Sequence, residues 1–534
     1  MANRFRNGFL LVLLCGATVF ADPDKSRLYR EIAELFNALA DIEGSDTSSD
    51  PDPVPDPTPD PDPTPDPDPT PDPTGGNLVG INVGTMLSWD WMTYRRNAFE
   101  ETRWVTDYVG TEYRLDVPLD QTGWPSVPLP YQGKTIVGSV EVNAGLPIVN
   151  NRPFTLIQRG PSVINIPGVG KFENAIGTKQ SQVQFPQNIE KANIEIQSAD
   201  VGSRWELIYP GEENNQSQFH SFVLDTLRPF GVIRFMDWQK TNGSTQKVWS
   251  DSNNPLGMSE SSDTGASWQS AIDLANETNS DMWVCIPHGV DQDYTATLAR
   301  LIASQFQGQR VIVEYSNECW NYARAFRPQV NFCRDRGNAI GATGSDAAII
   351  AAGYGDLANE HFATFKAAYG GSATVDYVAA WQSVAKSTPR IVFDRCPNAT
   401  AIAHAPYVYL SGSSWHGDSV DSIFQQLNNE GLGRCQTDIA RWKGWADERG
   451  LKYMIYECGH HVHGAESTYQ VTNDPRMTKL LTDFDKLLPA ETVRCYFNYG
   501  GKPRRNHDFG HMSFSGDTNK AMWQGLQGVL SLAP

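Results

Sequence analysis

The stretch Val311-Ile-Val-Glu-Tyr-Ser-Asn-Glu-Cys-Trp320 decides the fold of this chain. Its apolar first half is typical of a buried strand in a parallel sheet, and it ends abruptly in Asn317-Glu318 with an aromatic residue beyond. In α/β barrels the side chains that do chemistry stand at the C-terminal ends of the strands. The stretch therefore predicts a barrel strand with an amide and a carboxyl group at its active end.

Other segments of the chain have the same apolar character and are separated by helical patterns. Strict alternation of strand and helix signals indicates parallel βα units. The predicted strands comprise residues 77–86, 231–238, 282–288, 311–320, 375–382, 401–409, 451–459 and 492–498. Eight such units predict an α/β fold, a (β/α)8 TIM barrel, formed by residues 77–102 and 216–534.

Residues 103–215 interrupt this alternation after the first strand. They contain short alternating runs, such as residues 134–142, 162–166 and 192–197, punctuated by Gly, Pro and Asn. This spacing is typical of antiparallel strands. We predict an inserted β-sandwich-like module, which serves either as a binding wall or as a packing accessory.

The first 76 residues carry no barrel pattern. Residues 1–21 combine Arg4 and Arg6 with an apolar run and end in Val19-Phe20-Ala21, which predicts a cleavable signal peptide and a secreted protein, extracellular or periplasmic. Residues 22–45 repeat apolar side chains at helical spacing, which predicts an amphipathic helix that either docks on a partner or frays. Residues 46–76 form an Asp/Pro/Thr-rich linker of extended character.

Charge and hydropathy exclude two classes of partner. The formal net charge is −19, whereas nucleic acids and anionic membranes require clustered Lys and Arg. Beyond the predicted signal peptide no apolar run approaches the ~18 residues that span a bilayer. We therefore expect no nucleic acid and no membrane as partner.

Seven cysteines follow the predicted signal peptide. They are widely spaced and form no CxxC pair of the kind that binds zinc. Cys319 and Cys458 each follow a glutamate, so a disulfide between them is one interpretation and buried free thiols are the other.

Two glutamates, Glu318 and Glu457, end apolar strands four and seven. Strand alternation places Glu318 on the same face as Glu314, and Glu457 on the same face as Ile455 and Tyr453. Cleavage of a glycosidic bond with retention requires two carboxyl groups about 5 to 5.5 Å apart, one acid and one nucleophile. Opposite strands of a barrel can supply this pair.

Ser316-Asn317-Glu318 and Tyr456-Glu457-Cys458-Gly459 resemble the corresponding motifs of glycoside hydrolase clan A, the cellulase-like retaining β-glycanases. The resemblance implies that Glu318 is the acid/base, that Asn317 binds the sugar 2-hydroxyl and that Glu457 is the nucleophile. For these roles Glu318 has to be protonated, which burial or the charge of Glu457 would favour, while Glu457 has to stay ionised.

The same resemblance assigns supporting roles on other strands. Arg234 matches the arginine that supports the nucleophile, His288 matches a substrate-contacting histidine, and His404 and Tyr407 match the histidine and tyrosine of strand six. This chain departs from the cellulase-like pattern because His404 and Tyr407 are three residues apart instead of two. It also has Tyr496, Phe497 and Tyr499 where a strand-eight tryptophan is expected.

Aromatic residues near strand ends are candidates for stacking on sugar rings. Trp238, Trp320 and Trp415 are the ones that we assign to substrate binding, and Trp89 and Trp91 have the same character. Ordinary packing at the barrel rim is the alternative interpretation for each of them.

Histidines cluster directly after strand seven, at His460, His461 and His463, and His416 and Asp418 follow strand six. Such residues can bind a metal or line a polar cleft. We interpret them as cleft residues and assign no metal and no cofactor.

These observations lead to one functional expectation and two alternatives. We expect a secreted retaining glycoside hydrolase that cleaves β-linked polysaccharide by double displacement, as an endo-β-glucanase or xylanase does. The alternatives are a non-catalytic carbohydrate-binding protein on a barrel scaffold and a metal-dependent hydrolase that uses the histidines. The expected partner is a polysaccharide or oligosaccharide, with docking through the N-terminal helix as a further possibility.

Overall fold

The computed structural model describes residues 77–86, 92–109, 112–142, 145–187, 189–255, 257–504 and 506–532. The predicted signal peptide, amphipathic helix and linker lie outside these residues, as do Trp89 and Trp91. They remain predictions.

The strands of the described residues fall into a parallel set and an antiparallel set. In chain order they are β1 (Val79–Asn82), β2 (Trp104–Val105), β3 (Asp107–Val109), β4 (Glu112–Arg114), β5 (Ile136–Glu141), β6 (Phe154–Arg159), β7 (Ser162–Ile166), β8 (Gly170–Asn174), β9 (Thr178–Val183), β10 (Lys191–Ala199), β11 (Arg204–Ile208), β12 (Val232–Arg234), β13 (Asp281–Ile286), β14 (Arg310–Tyr315), β15 (Thr374–Ala380), β16 (Ala401–His404), β17 (Lys452–Cys458) and β18 (Val493–Tyr496).

The parallel set closes into a barrel. β1 and β12 to β18 follow one another in sequence order, each paired in parallel with the next, and β18 pairs with β1. Every segment predicted as a barrel strand overlaps one of these strands, so the predicted (β/α)8 barrel is confirmed. Both faces are apolar because Val311, Val313 and Tyr315 of β14 belong to the core under the helices, whereas Ile312 belongs to the core inside the barrel.

Helices follow the barrel strands and cover the outside of the sheet. They are α1 (Ser221–Leu227), α2 (Trp268–Thr278), α3 (Gln292–Gln305), α4 (Arg327–Ala339), α5 (Asp346–Ala368), α6 (Thr388–Arg395), α7 (Val420–Gln426), α8 (Leu432–Arg449), α9 (Thr468–Asn473), α10 (Arg476–Asp485) and α11 (Ala521–Leu532). Sequence signals set several of the boundaries. Ser267, Asp291 and Ser345 accept hydrogen bonds from backbone amides at the starts of α2, α3 and α5. Gly450 ends α8 with φ +63°, a conformation that glycine adopts without strain.

The antiparallel set, β2 to β11, lies between β1 and β12 in the chain. One sheet has the order β2-β5-β10-β7-β8, a second has the order β11-β6-β9, and β3 pairs with β4. The two larger sheets share an apolar core of their own, which includes Ile136, Leu156, Ile194, Val183 and Trp205. The predicted β-sandwich-like insertion after strand one is confirmed.

A buried ion pair joins the loop after β1 to the barrel. Nη2 of Arg95 lies 2.9 Å from Oε1 of Glu260 and donates to Oγ of Ser270 at 2.6 Å. The Glu260 carboxylate also accepts hydrogen bonds from the backbone amide and the hydroxyl of Ser267. These contacts anchor the loop that leads into the inserted module to the first turn of α2.

The register of β17 contains one extra residue. Ile455 pairs with Arg494 and Cys458 pairs with Tyr496, so three steps along β17 match two steps along β18. This is a β-bulge, which turns the side chains that follow it. Tyr453 and Ile455 belong to the core under the helices, yet Glu457 contacts Arg234. The prediction that Glu457 shares a face with Tyr453 and Ile455 is therefore wrong, because it assumed unbroken alternation.

The described cysteines are buried free thiols, and no disulfide links Cys319 to Cys458. Among the helices of residues 77–532 that the structure describes, none has the length and apolar character to span a membrane.

Candidate active site

Arg234, the last residue of β12, is the fully buried centre of the site. Its Nη1 donates to Oε1 of Glu457 at 2.8 Å and to Oδ1 of Asn82 at 2.9 Å. Its Nε and Nη2 donate to Oε2 of Glu314 at 3.1 and 2.8 Å, and Nη2 also donates to Oδ1 of Asn317 at 2.9 Å. One guanidinium thus fixes residues from the ends of β1, β14 and β17.

Glu457 lies just after the bulge of β17 and is 5% exposed. In addition to the Arg234 contact, its Oε2 accepts a hydrogen bond of 2.8 Å from the hydroxyl of Tyr407, in the loop after β16. Burial raises the pKa of the Glu457 carboxyl above its ordinary value, and Arg234 and Tyr407 offset part of this increase. Glu457 is the carboxyl group whose negative charge has a guanidinium and a hydroxyl in direct contact.

Glu318 follows β14 on a strained turn. Ser316 and Glu318 have φ values of +57° and +43°, in the left-handed region that non-glycine residues occupy at a cost of about 1–3 kcal/mol each. The carboxyl group accepts from Nδ2 of Asn321 at 2.8 Å and from the hydroxyl of Tyr456 at 3.3 Å. Burial and then the charge of Glu457 raise the pKa of Glu318 to about 8, so Glu318 is protonated near neutral pH.

Asn317 is held between the two carboxyl groups by a polar network. Its Oδ1 accepts from Arg234, and its Nδ2 donates to Oδ1 of Asn242 at 3.0 Å. Gln329 of α4 donates to the same Asn242 oxygen at 3.2 Å and to the backbone carbonyl of Asn317 at 3.2 Å. The amide of Asn317 therefore has a fixed orientation, and one of its two Nδ2 protons is left for another acceptor.

Three residues predicted to bind substrate are placed elsewhere. His404 lies on the outer side of β16, where its ring nitrogens contact Tyr453 and Ser383 and its ring stacks on Trp442 at 4.7 Å. The expected substrate contact of His404 is therefore not supported. The spacing from Tyr407 explains this, since residues three apart on an extended chain face opposite sides.

Trp238 and Trp415 are also not on the open surface of the site. Trp238 is fully buried and packs edge-on against Tyr94 at 5.2 Å between ring centroids. Trp415 is 4% exposed, and its indole nitrogen donates to the carbonyl of Gly412. Both positions match ordinary packing, the alternative stated for them above.

His288 and Trp320 lie near strand ends without contacting the carboxyl pair. His288, two residues beyond β13, is 3% exposed, and its ring lies 5.7 Å from that of Phe332. Burial, and then the charge of Lys247, lower the pKa of His288 to about 4. Trp320 is half-buried and packs partly on the barrel core. At strand eight, Phe497 belongs to the core inside the barrel and packs against Phe509.

The histidines after β17 form a group of packed rings. His461 and His463 lie 4.4 Å apart, and His461 lies 5.3 Å from the ring of Tyr407. His460 is fully buried and accepts a hydrogen bond from the amide of Val462. Among the described residues no group of three or more His, Cys, Asp or Glu side chains is arranged to hold a metal ion.

Several site residues were not assigned from the sequence. In the sequence, Glu314 serves only to define the face of the strand on which Glu318 lies. In the structure Glu314 is fully buried and also accepts a 2.9 Å hydrogen bond from the indole of Trp283. A charged residue inside an otherwise apolar strand is the sequence signal that indicates a functional role for Glu314. Asn82 at the end of β1 gave the same kind of signal, whereas Asn242 and Gln329 lie in a loop and a helix whose patterns do not distinguish them.

Comparisons with known proteins find distant similarity to solved structures only. No protein-family model matches the chain, and no curated protein matches it. Among solved structures, the broad-specificity endoglucanase of family GH5-4 from Clostridium longisporum is 12% identical, with 60% of this chain and 89% of that chain covered and a TM-score of 0.31. A 4-O-α-L-rhamnosyl-β-D-glucuronidase from Fusarium oxysporum is 11% identical over 61% and 67% of the two chains, with a TM-score of 0.37. A GH5 xyloglucan-specific endo-β-1,4-glucanase from a metagenomic library is 14% identical over 59% and 90%, with a TM-score of 0.33. Since similarity at this level carries no argument about function, any function for the chain has to be argued from the geometry of its site.

Proposed function

We propose that the protein is a secreted retaining glycoside hydrolase that cleaves β-linked polysaccharide in the manner of an endo-β-glucanase or a xylanase. The observation that carries this proposal is the contrast between its two carboxyl groups. Glu457 is held by Arg234 and Tyr407, which favour its ionised form, while the pKa of Glu318 is raised to about 8. Glycosidic cleavage requires one protonated carboxyl group as acid and one carboxylate as nucleophile, and the cation contact of Glu457 supports this division of roles.

In the first step, Glu318 donates its proton to the glycosidic oxygen while a carboxylate oxygen of Glu457 attacks the anomeric carbon. The bond between that carbon and the leaving oxygen breaks, and a glycosyl ester forms on Glu457. The free Nδ2 proton of Asn317 is directed to the 2-hydroxyl of the sugar, because its other amide contacts are occupied within the protein.

In the second step, Glu318 changes its role because the ester removes a charge. The negative charge of Glu457 is the second largest cause that raises the pKa of Glu318. Esterification removes that charge, so the pKa of Glu318 falls and the carboxylate left by the first step can take a proton from water. The water oxygen then attacks the anomeric carbon and releases Glu457.

The central experiment replaces each carboxyl group by its isosteric amide. Glu457→Gln and Glu318→Gln should each lower the release of reducing sugar from a β-glucan and a xylan on the order of 10³-fold or more. Glu448→Gln, on the exposed surface of α8, is the matched control and should retain wild-type activity. NMR of the first product should show the β anomer. An α anomer would remove the nucleophile role from Glu457.

The same experiment separates the two alternatives. A wild-type protein that binds a glycan but releases no sugar from any member of the panel would be a carbohydrate-binding protein. Activity that survives Glu457→Gln but is lost on chelation would identify a metal-dependent hydrolase.

A further inference from the structure

Four half-buried histidines stand beside the nucleophile and have no role in the mechanism above. His416 follows β16, His461 and His463 follow β17, and His507 follows β18, and we call these four residues the histidine wall. His463 links them, because its ring lies 4.4 Å from that of His461 and 5.7 Å from that of His507. His416 approaches the same loop, since a Cβ atom at Gly464 would lie 3.1 Å from its Cε1.

The histidine wall reaches the catalytic pair through Tyr407. The ring of His461 lies 5.3 Å from that of Tyr407, whose hydroxyl donates to Glu457. The wall is therefore one side chain away from the carboxylate that attacks the anomeric carbon. The sugar unit that carries that anomeric carbon, or the unit next to it, is close enough to contact these imidazoles.

The wall has unused hydrogen-bonding capacity. Within the described part of the chain, the ring nitrogens of His416, His461 and His463 make no hydrogen bond, whereas His507 contacts the carbonyl of Asn506. Polar side chains that are half-buried without a protein partner are suited to bind a ligand or water.

The charged neighbours that shift the pKa values of the wall histidines are bases. For His461 and His463, the neighbours that lower the pKa are other histidines. For His507 the neighbour is Arg504, which is exposed on the loop after β18. Burial first, and then these bases, lower the pKa of His461 and of His507 to about 4. Imidazoles with such lowered pKa values are neutral in the free protein, and each keeps one ring N–H that can donate to a bound anion.

We propose that the histidine wall binds the carboxylate of a uronic acid unit, so that the preferred substrate is an acidic β-glycan. This inference rests on the proposed glycosidase function and specifies its substrate class. Imidazole N–H groups donate to the sugar carboxylate in a charge-assisted hydrogen bond, which is stronger than a bond to a hydroxyl.

The test compares one glycan in two forms, a uronate-bearing xylan and the same polymer after reduction of its carboxyl groups to alcohols. The wild type should have a kcat/KM for the acidic form at least about tenfold above that for the reduced form. His461→Gln combined with His463→Gln should bring this ratio close to one. Lys366→Gln, on the exposed face of α5, is the control for loss of a distant base and should retain the wild-type ratio.

A binding measurement makes the test independent of turnover. Calorimetry with Glu457→Gln and an acidic oligosaccharide should give an affinity at least about tenfold above that for its reduced form, and the two histidine substitutions should abolish the difference. If the double variant does not fold, His463→Gln alone is used, with the thermal transition as the check.

Two results would overturn the substrate proposal and leave the glycosidase function intact. One is an equal kcat/KM of the wild type for the acidic and the reduced glycan, and the other is a preference for the acidic glycan that survives the histidine substitutions. A wild-type protein that releases no sugar from any glycan would overturn the glycosidase function, and activity that survives Glu457→Gln would overturn the role of Glu457 as nucleophile. In both cases the calorimetric comparison would still decide whether the wall binds carboxylate.

Discussion

Arg234 and Glu457 meet at 2.8 Å in a part of the barrel where the first side chain is 0% and the second 7% exposed. A buried charge without a partner costs several kcal/mol, so the Glu457 carboxylate requires Arg234, which is itself also paired with Glu314. The pair therefore couples the stability of the barrel mouth to the ionisation of the carboxylate on which the proposed reaction depends.

Replacing Arg234 by lysine should lower kcat roughly a hundredfold with a smaller effect on KM, because an ammonium group cannot contact Glu314, Asn317 and Glu457 in one plane. The measurement is steady-state kinetics together with the thermal transition. Arg310→Lys is the control, since Arg310 is also buried and paired, with Asp281, but lies at the opposite end of β14. Equal loss of activity in both variants would contradict a specific role of Arg234.

Glu318→Gln should become more stable relative to the wild type as the pH rises from about 4.5 to about 8. Between these values the unfolded chain releases a proton that folded Glu318 retains, so the stability of the wild type falls with rising pH. The amide has no such proton. Over this pH range we expect a total relative gain of roughly 1–3 kcal/mol. The gain stays below the limit of about 1.4 kcal/mol for each pH unit, because the Glu318 side chain is only half-buried and solvent screens its charge. Denaturant unfolding at several pH values measures it, and a pH-independent difference would show that the pKa of Glu318 is not raised.

Tyr456→Phe should move the alkaline limb of the pH profile of kcat/KM to higher pH. In the wild type this limb lies near pH 8, where Glu318 loses the proton that it donates. The Tyr456 hydroxyl lowers the pKa of Glu318 through its hydrogen bond, so its removal raises that pKa. Tyr469→Phe, on the more exposed helix α9, should leave the limb in place. A shift to lower pH in Tyr456→Phe would contradict the assignment of Glu318 as the acid.

Asn242→Ala should lower kcat/KM on the order of tenfold without unfolding the protein. Asn242 orients the Asn317 amide, and a misplaced amide loses a contact that strengthens in the transition state. Asn338→Ala, an exposed change on the helix that carries Gln329, is the control. A sugar lacking the 2-hydroxyl should be cleaved equally by the wild type and Asn242→Ala, whereas a difference there would indicate a general structural effect.

Glu260→Ala should destabilise the fold by about 3–5 kcal/mol, because it removes the closer and more deeply buried of the two carboxylates that pair with the buried Arg95 guanidinium and leaves only Glu100, at 3.4 Å. Denaturant titration measures the change. Asp225→Ala removes an exposed partner of Arg228 and should cost no more than about 1 kcal/mol. Similar costs for the two variants would contradict the anchoring role of the Arg95–Glu260 pair.

The barrel was predictable from the sequence because its strands are continuous apolar runs separated by helical patterns, and every predicted strand segment is confirmed. The structure also brings Arg234, Asn317, Glu318, Tyr407 and Glu457 together, as the resemblance implied. The details that failed depend on local register. Similarity assigns His404 to substrate binding, yet its three-residue spacing from Tyr407 directs it outward. Regular alternation predicts the face of Glu457, and the bulge in β17 interrupts that alternation. Trp238 and Trp415 show that position near a strand end does not distinguish a stacking platform from core.

The single extra residue between Ile455 and Cys458 has a consequence for both carboxyl groups of the site. Ile455 and Cys458 both belong to the core under the helices, where regular alternation would leave one inward side chain between them. The bulge gives two, so that Tyr456 donates to Glu318 while its neighbour Glu457 contacts Arg234. Deletion of Tyr456 would keep Glu457 on the inner face of the barrel and would remove one of the two hydrogen bonds that Glu318 accepts.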